Sequence, residues 1–225
     1  MSVKKILIPI IVLLVIGAIV FIAVWFSTRG GTSKDLGQYK ARQLHSYNWC
    51  GNRKVIALTF DDGPDVATTP TLLADLKRHN VKATFFMSPA VNGPPSAQQC
   101  SLVKTVLEHG HSVQSHSFDH TNFADKDAQS IMNSLRENHE WLEKCADGER
   151  LSLNQFRPPF GSLDTQRAKF ISDLGYTIAS WNVESMDYSG GNADTVFQNV
   201  RTSLAEHDCV HPIANRILYD AHYRF

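Results

Sequence analysis

The sequence predicts an α/β domain, a small distorted β/α barrel of six to seven mainly parallel strands, preceded by an N-terminal transmembrane helix. Three observations carry this expectation. Short apolar or β-branched runs recur along the chain, helical periodicities separate them, and one uncharged stretch of about 20 residues stands apart at the N-terminus. Strands joined by helices favour parallel pairing with both sheet faces covered. Six or seven such units suffice to close a small barrel.

The first element runs from Ile6 to Phe26 and contains no charged residue. That length lets a helix cross a hydrocarbon core. A cleaved signal peptide is the other reading, but its apolar region usually spans about 7 to 15 residues before a small-residue cleavage site. Here Ala23-Val24-Trp25 ends in a bulky side chain. Residues 1–26 are therefore expected to be a membrane anchor, placing the domain outside the cytoplasm or at the cell surface, and a secreted protein follows if the segment is cleaved. Residues 27–48, rich in Gly, Ser, Thr and charge, read as a tether. The folded domain is expected over residues 49–225, enough chain to bury one substantial core.

Within that domain, residues 54–60, 82–87, 112–115, 155–157, 176–181 and 216–220 suit buried strands. Helical patterns lie between them. Thr69-Pro70 reads as the cap and first turn of a helix whose inner face is Leu72, Leu73 and Leu76. Leu102, Val103, Val106 and Leu107 mark the next, stopped by Gly110. Ile131, Leu135 and Leu142 mark a third, Phe170, Ile171 and Leu174 a fourth ended by Gly175, and Val196, Phe197 and Val200 a fifth.

Composition narrows the partners. The formal net charge is zero and no glycine-rich phosphate loop is present, so neither nucleic acid nor a nucleotide is expected. A monomer is expected, without N-glycosylation. Cys50, Cys100, Cys145 and Cys209 all follow the apolar stretch and show no C-x-x-C spacing, which argues against structural zinc. Four buried thiols are one reading. Two disulfides in an oxidising compartment are the other, with Cys50–Cys209 and Cys100–Cys145 the expected pairing among three.

The polar residues fall at the C-terminal ends of the expected strands, the face where α/β barrels assemble their sites. Asp61 and Asp62 follow the first strand, His116 and His120 the third, Arg157 ends the fourth and Trp181 the fifth. His116 and His120, four apart, could turn toward one cation on a helical turn. With one carboxylate they make a facial set suited to zinc or another divalent transition ion. A cation would also account for the adjacent acids: one serves as ligand, the other as a base beside activated water, and Arg157 offsets their repulsion. Read alone, Asp61-Asp62-Gly63-Pro64 is equally well suited to a turn.

"TFDDGP", "HSFDH", "RPPFG" and "WNVESMDY" occur in this order and resemble successive motifs of the polysaccharide deacetylases, carbohydrate esterase family four, which include chitin and peptidoglycan deacetylases. The resemblance implies a distorted β/α barrel that removes acetyl groups from N-acetylglucosamine polymers with one divalent ion, zinc favoured and cobalt possible. It implies Asp61 as catalytic base, Asp62, His116 and His120 as metal ligands, and Arg157 as the residue orienting the base. Phe160 stands where Tyr is usual and would offer its backbone N–H to the oxyanion. Trp181 would wall the acetyl pocket and Asp187 support the catalytic acid. The four cysteines tilt the expected polymer toward chitin over peptidoglycan.

The last motif departs from the family pattern. In "RILYDAH", Ile217 aligns with the pocket leucine and Tyr219 with the acid histidine, while His222 lies three residues further on. An active deacetylase and a catalytically weakened, glycan-binding relative both remain open at this point.

Overall fold

Backbone pairing begins where Thr59, Phe60 and Asp61 meet Thr84, Phe85 and Phe86 in parallel. In the computed structural model the described residues are 56–181 and 183–205. They contain five strands: β1 (Thr59–Asp61), β2 (Thr84–Met87), β3 (Ser112–Ser115), β4 (Gln155–Phe156) and β5 (Thr177–Ile178). Their order is β1-β2-β3-β4-β5 and every pairing is parallel, as the alternating pattern predicts. The expected strand at 216–220, the anchor, the tether, Cys50 and Cys209 lie outside the described residues. No helix of the described residues is long and apolar enough to cross a membrane.

Four of the five strands are shorter than the runs that announce them, while β3 spans its expected 112–115. In the first run the ladder starts only at Thr59, yet it extends through Asp61, whose backbone still pairs opposite Phe86. Apolar character records burial, whereas the ladder ends where neighbouring backbones lose register.

The helices are α1 (Thr69–Arg78), α2 (Ala97–Glu108), α3 (Ala128–Cys145), α4 (Thr165–Asp173) and α5 (Ala193–Ala205). Four have side-chain caps at their N-termini, among them Asn192, whose Oδ1 accepts from Thr195 N–H on α5. Ser96 and Gln99 form a reciprocal capping box on α2, Asp127 accepts from Ser130 N–H on α3, and Asp164 accepts from Arg167 N–H on α4. At α1 the expected cap shifts by one residue: Thr68 holds the N-cap position. The Thr69 hydroxyl instead accepts from Asp65 N–H, while Asp65 Oδ1 receives Thr68 N–H. Gly110 and Gly175 follow their helices with φ of 75° and 98°, conformations that disfavour a Cβ.

Phe60, Leu73, Leu76, Phe85, Met87, Val103, Val106, Val113 and Leu142 form the larger core, between β1–β3 and the inner faces of α1, α2 and α3. Phe123, Ile131, Leu135, Phe156 and Ile171 form a second cluster beneath β4. Cys100 on α2 and Cys145 on α3 are joined by a disulfide with Cα atoms 4.8 Å apart, as the expected pairing requires. It closes a loop with a sequence separation of 45. Loss of such a link costs about 4 kcal/mol in the chain-entropy description. The Cys100→Ala, Cys145→Ala double variant should unfold at lower denaturant, by an amount equivalent to about 2–4 kcal/mol, measured by urea titration of far-ultraviolet circular dichroism.

Candidate metal centre and active site

Three strands hand polar side chains to one end of the sheet. Asp61 closes β1 and Asp62 follows it, His116 follows β3, and Arg157 follows β4. Parallel pairing brings these ends side by side: Asp61 is in register with Phe86, Met87 with Ser115, and Ser115 with Phe156.

Asp62 Oδ1 lies 3.2 Å from His116 Nε2 and 3.0 Å from His120 Nε2. The three candidate ligand atoms all lie within 4.8 Å of one another. Asp62 Oδ1 is buried and accepts no aligned hydrogen bond. A buried carboxylate oxygen left without a hydrogen bond, facing two imidazole nitrogens, is a donor set that a divalent cation would satisfy. The His116 ring is already oriented for that task. Its Nδ1 lies 2.6 Å from the Arg157 carbonyl oxygen, so Nδ1–H donates there and Nε2 keeps its lone pair.

The local backbone explains how the ligands meet. Asp62, Ser117 and His120 have φ of 67°, 71° and 55°, all in the left-handed region that non-glycine residues seldom adopt. His116 and His120 therefore converge through an irregular loop, not through the helical turn that their spacing predicts. Side chains hold this loop in place. Ser117 Oγ accepts from His120 N–H at 3.0 Å, and Asn138 Nδ2, fully buried on α3, donates to the carbonyls of Ser117 at 2.8 Å and Met87 at 3.0 Å.

Asp61 points toward Arg157. Arg157 Nη1 donates to Asp61 Oδ1 at 2.5 Å and to Thr59 Oγ1 at 2.8 Å. The guanidinium carbon lies 4.1 Å from the Phe86 ring centroid and 5.8 Å from that of Trp181, so the cation sits between aromatic faces. Asp61 and Arg157 are 8% and 2% exposed, which places the pair beyond effective screening by solvent. Asp61 Oδ2 is 3.9 Å from His116 Nε2.

The two adjacent acids thus have different surroundings. Burial pushes the Asp61 carboxyl above the usual carboxylate range, with Arg157 and His116 holding it back. Burial also opposes ionisation of Asp62, but the His116 and His120 rings facing it outweigh that and set the carboxyl well below the usual range. For His116, burial disfavours the charged ring, yet the nearby Asp61 and Asp62 carboxylates raise its pKa above 6.5.

A pH dependence follows for cation binding. A cation held here would need the His116 Nε2 lone pair, and the raised pKa keeps that nitrogen protonated to a higher pH than in an ordinary histidine. Affinity should therefore fall as pH drops through a value above 6.5, by about tenfold per pH unit for each competing proton. Zn²⁺ titrations at successive pH values from alkaline to mildly acidic check the sign and slope.

Phe160, 67% exposed, occupies a tight turn after β4 with φ of 60°, its ring packed against that of His120. At Gly161, φ is +62° and a Cβ would come within 2.7 Å of the Trp181 ring, so this turn and that indole are in close contact. Asp187 is buried and accepts from Ser185 Oγ at 2.6 Å. The structure thus brings together Asp61, Asp62, His116, His120, Arg157, Phe160 and Trp181. Ile217, Tyr219 and His222 lie outside the described residues. Thr59, Ser117 and Asn138 are supporting groups to which the sequence reading assigns no role, although Thr59 and Ser117 stand inside the TFDDGP and HSFDH motifs. Asn138 had a visible signal: it continues the buried face of α3 marked by Ile131, Leu135 and Leu142, a polar residue in an apolar stripe.

Comparison with known proteins gives concordant results. A Bacillus cereus peptidoglycan-N-acetylglucosamine deacetylase is 34% identical over 160 residues, covering 70% of this chain and 56% of that protein. The Listeria monocytogenes peptidoglycan-N-acetylglucosamine deacetylase PgdA is 40% identical over 147 residues, covering 65% of this chain and 29% of that protein. The chain therefore spans about half or less of the length of these relatives. The crystal structure of the Bc1960 peptidoglycan N-acetylglucosamine deacetylase superimposes with a TM-score of 0.64 at 30% identity, covering 73% of this chain and 72% of that one. The family model for polysaccharide deacetylase matches residues 49–179, which include the converging acids, imidazoles and arginine, and the chain belongs to that family.

Proposed function

We propose that the protein hydrolyses N-acetyl groups from an N-acetylglucosamine-containing cell-wall glycan, with one divalent cation bound by Asp62, His116 and His120. The observation that carries this reading is the division of surroundings between Asp61 and Asp62: one acid faces the imidazole pair and the other is held by Arg157. Two imidazoles and a carboxylate suit zinc, with cobalt an alternative. Once bound, the cation supplies Lewis-acid polarisation of the acetyl carbonyl and lowers the pKa of water.

The remaining steps belong to the chain's own side chains. Asp61, its carboxyl pushed up by burial and oriented by Arg157, takes a proton from the water whose oxygen adds to the acetamide carbon. Phe160 N–H is assigned to the charge that develops on the carbonyl oxygen. Trp181 borders the acetyl group, and Asp187 supports an acid from the C-terminal segment. The carbon–nitrogen bond then breaks, the amine takes a proton from that acid, and acetate leaves.

The substrate proposed is of the peptidoglycan type. A preference for chitin, expected from the cysteine content, gains nothing from these relatives, which are named for peptidoglycan. The apolar stretch at 6–26 and the Cys100–Cys145 disulfide support an extracytoplasmic, membrane-anchored domain, where such a polymer lies.

One sequence feature favours a weakened enzyme as a second reading: Tyr219 stands where the family's acid histidine is expected. A phenol with pKa near 10 is a poorer acid toward a departing amine than an imidazole near 6.5. General-acid assistance is worth roughly 10²- to 10⁴-fold. Acetate release from peptidoglycan fragments and from chitin oligomers should therefore be slow in the native chain and should rise in Tyr219→His. The functional reading fails if neither chain releases acetate from either polymer after cation loading. Brisk native turnover unaffected by His222→Ala would show that the acid lies elsewhere.

A further inference from the structure

The two histidines of the candidate centre are held by different means. His116 is fixed through a hydrogen bond from Nδ1 to the Arg157 carbonyl and is almost wholly buried. His120 makes no corresponding Nδ1 bond among the described residues; its backbone N–H donates to Ser117 Oγ. Its imidazole is instead placed between two rings. The His116 ring lies 5.1 Å away at 61°, and the Phe160 ring lies 4.6 Å away at 64°. Both arrangements are edge-to-face.

Phe160 is an unusual residue to find in this position. A residue 67% exposed gains little from burial, and its backbone sits at φ 60°, where a non-glycine residue is strained. The ring contact that the structure shows for this side chain is with His120. The geometry points to Phe160 as a positioning residue for the cation site: its ring fixes the orientation of the His120 imidazole, performing for this ligand what the Arg157 carbonyl performs for His116. This role belongs to the side chain and is separate from the backbone N–H assigned to the oxyanion. It rests on the reading of Asp62, His116 and His120 as a cation site.

The test is Co²⁺ binding to the full chain, followed by its visible absorption spectrum and by competition with a chromogenic chelator. Wild type, Phe160→Ala, Phe160→Leu and Phe160→Tyr are compared without substrate. Phe160→Ala and Phe160→Leu should weaken Co²⁺ binding by roughly 3- to 10-fold, the range of an aromatic pair and the lower range of ligand-orienting partners. Phe160→Tyr, which keeps the aromatic edge, should bind within about twofold of wild type. Thermal unfolding of the cation-free chains should be unchanged, because an exposed ring is lost.

Equal Co²⁺ affinity in Phe160→Ala, Phe160→Leu and wild type would overturn the inference while leaving the cation site intact. So would affinity loss in Phe160→Tyr equal to that in Phe160→Ala, or affinity loss that simply tracks lowered thermal stability. Failure of wild type itself to bind Co²⁺ would overturn the cation-site reading, and this inference with it.

Discussion

Replacing Asp61 with Asn is expected to abolish acetate release while leaving the cation in place, and replacing Asp62 with Ala is expected to remove the cation. The expectation comes from the separate partners of two adjacent side chains. Asp62 Oδ1 lies 3.0–3.2 Å from both imidazole nitrogens and accepts no aligned hydrogen bond, so its removal deletes one of three ligands. Asp61 is engaged by Arg157, and its Oδ2 stays 3.9 Å from His116. Asparagine keeps the shape of Asp61 and can still accept from Arg157, but its amide cannot take a proton from water. The expected loss in turnover is about 10²- to 10⁴-fold, the usual worth of a general base. Cation content of the purified variants, measured beside acetate release, checks the division. Equal cation loss in both variants would refute it.

Arg157→Met should produce the largest loss of stability in the site. Arg157 is 2% exposed, donates to Asp61 and Thr59, and lies between Phe86 and Trp181. Methionine restores part of the volume but leaves Asp61 buried without its cation. Breaking a buried pair from one side typically costs about 3–5 kcal/mol. Protonation of Asp61 is the route that limits this cost, because burial already raises its pKa and the opposing charge of Arg157 would be gone. The same protonation removes the base, so turnover should fall at neutral pH and recover in part as pH rises. Cation binding should persist, since the Arg157 carbonyl that orients His116 belongs to the backbone. Urea unfolding and a pH–rate profile together distinguish this outcome from a general collapse of the site.

Much of the site is legible in the sequence, and the reason is topological. Parallel strands joined by helices place all their C-terminal ends on one face, so polar residues just after apolar runs are gathered by the fold itself. Asp61, His116 and Arg157 illustrate this directly. The path between His116 and His120 was not legible. Spacing of four suggests a helical turn, but positive φ at Ser117 and His120 reaches the same convergence through a loop. That conformation depends on Asn138, distant in sequence, whose amide holds the Ser117 carbonyl. Thr59 likewise looks like an ordinary strand residue until Arg157 reaches it across the sheet. Supporting contacts of this kind arise from tertiary placement, and residue periodicity carries no record of them. Helix positions were clear from their apolar stripes, whereas the ends of β4 and β5, only two residues each, depended on ladder register.

We propose that deacetylation runs on a cation held by Asp62, His116 and His120. The most direct measurement is acetate release from peptidoglycan fragments by the chelator-stripped chain, before and after addition of one equivalent of Zn²⁺, in the native and Tyr219→His backgrounds. The account predicts no release before addition, release after it that is faster in Tyr219→His, and none in either background carrying Asp62→Ala. Undiminished release by the stripped chain, or full restoration in Asp62→Ala, would contradict it.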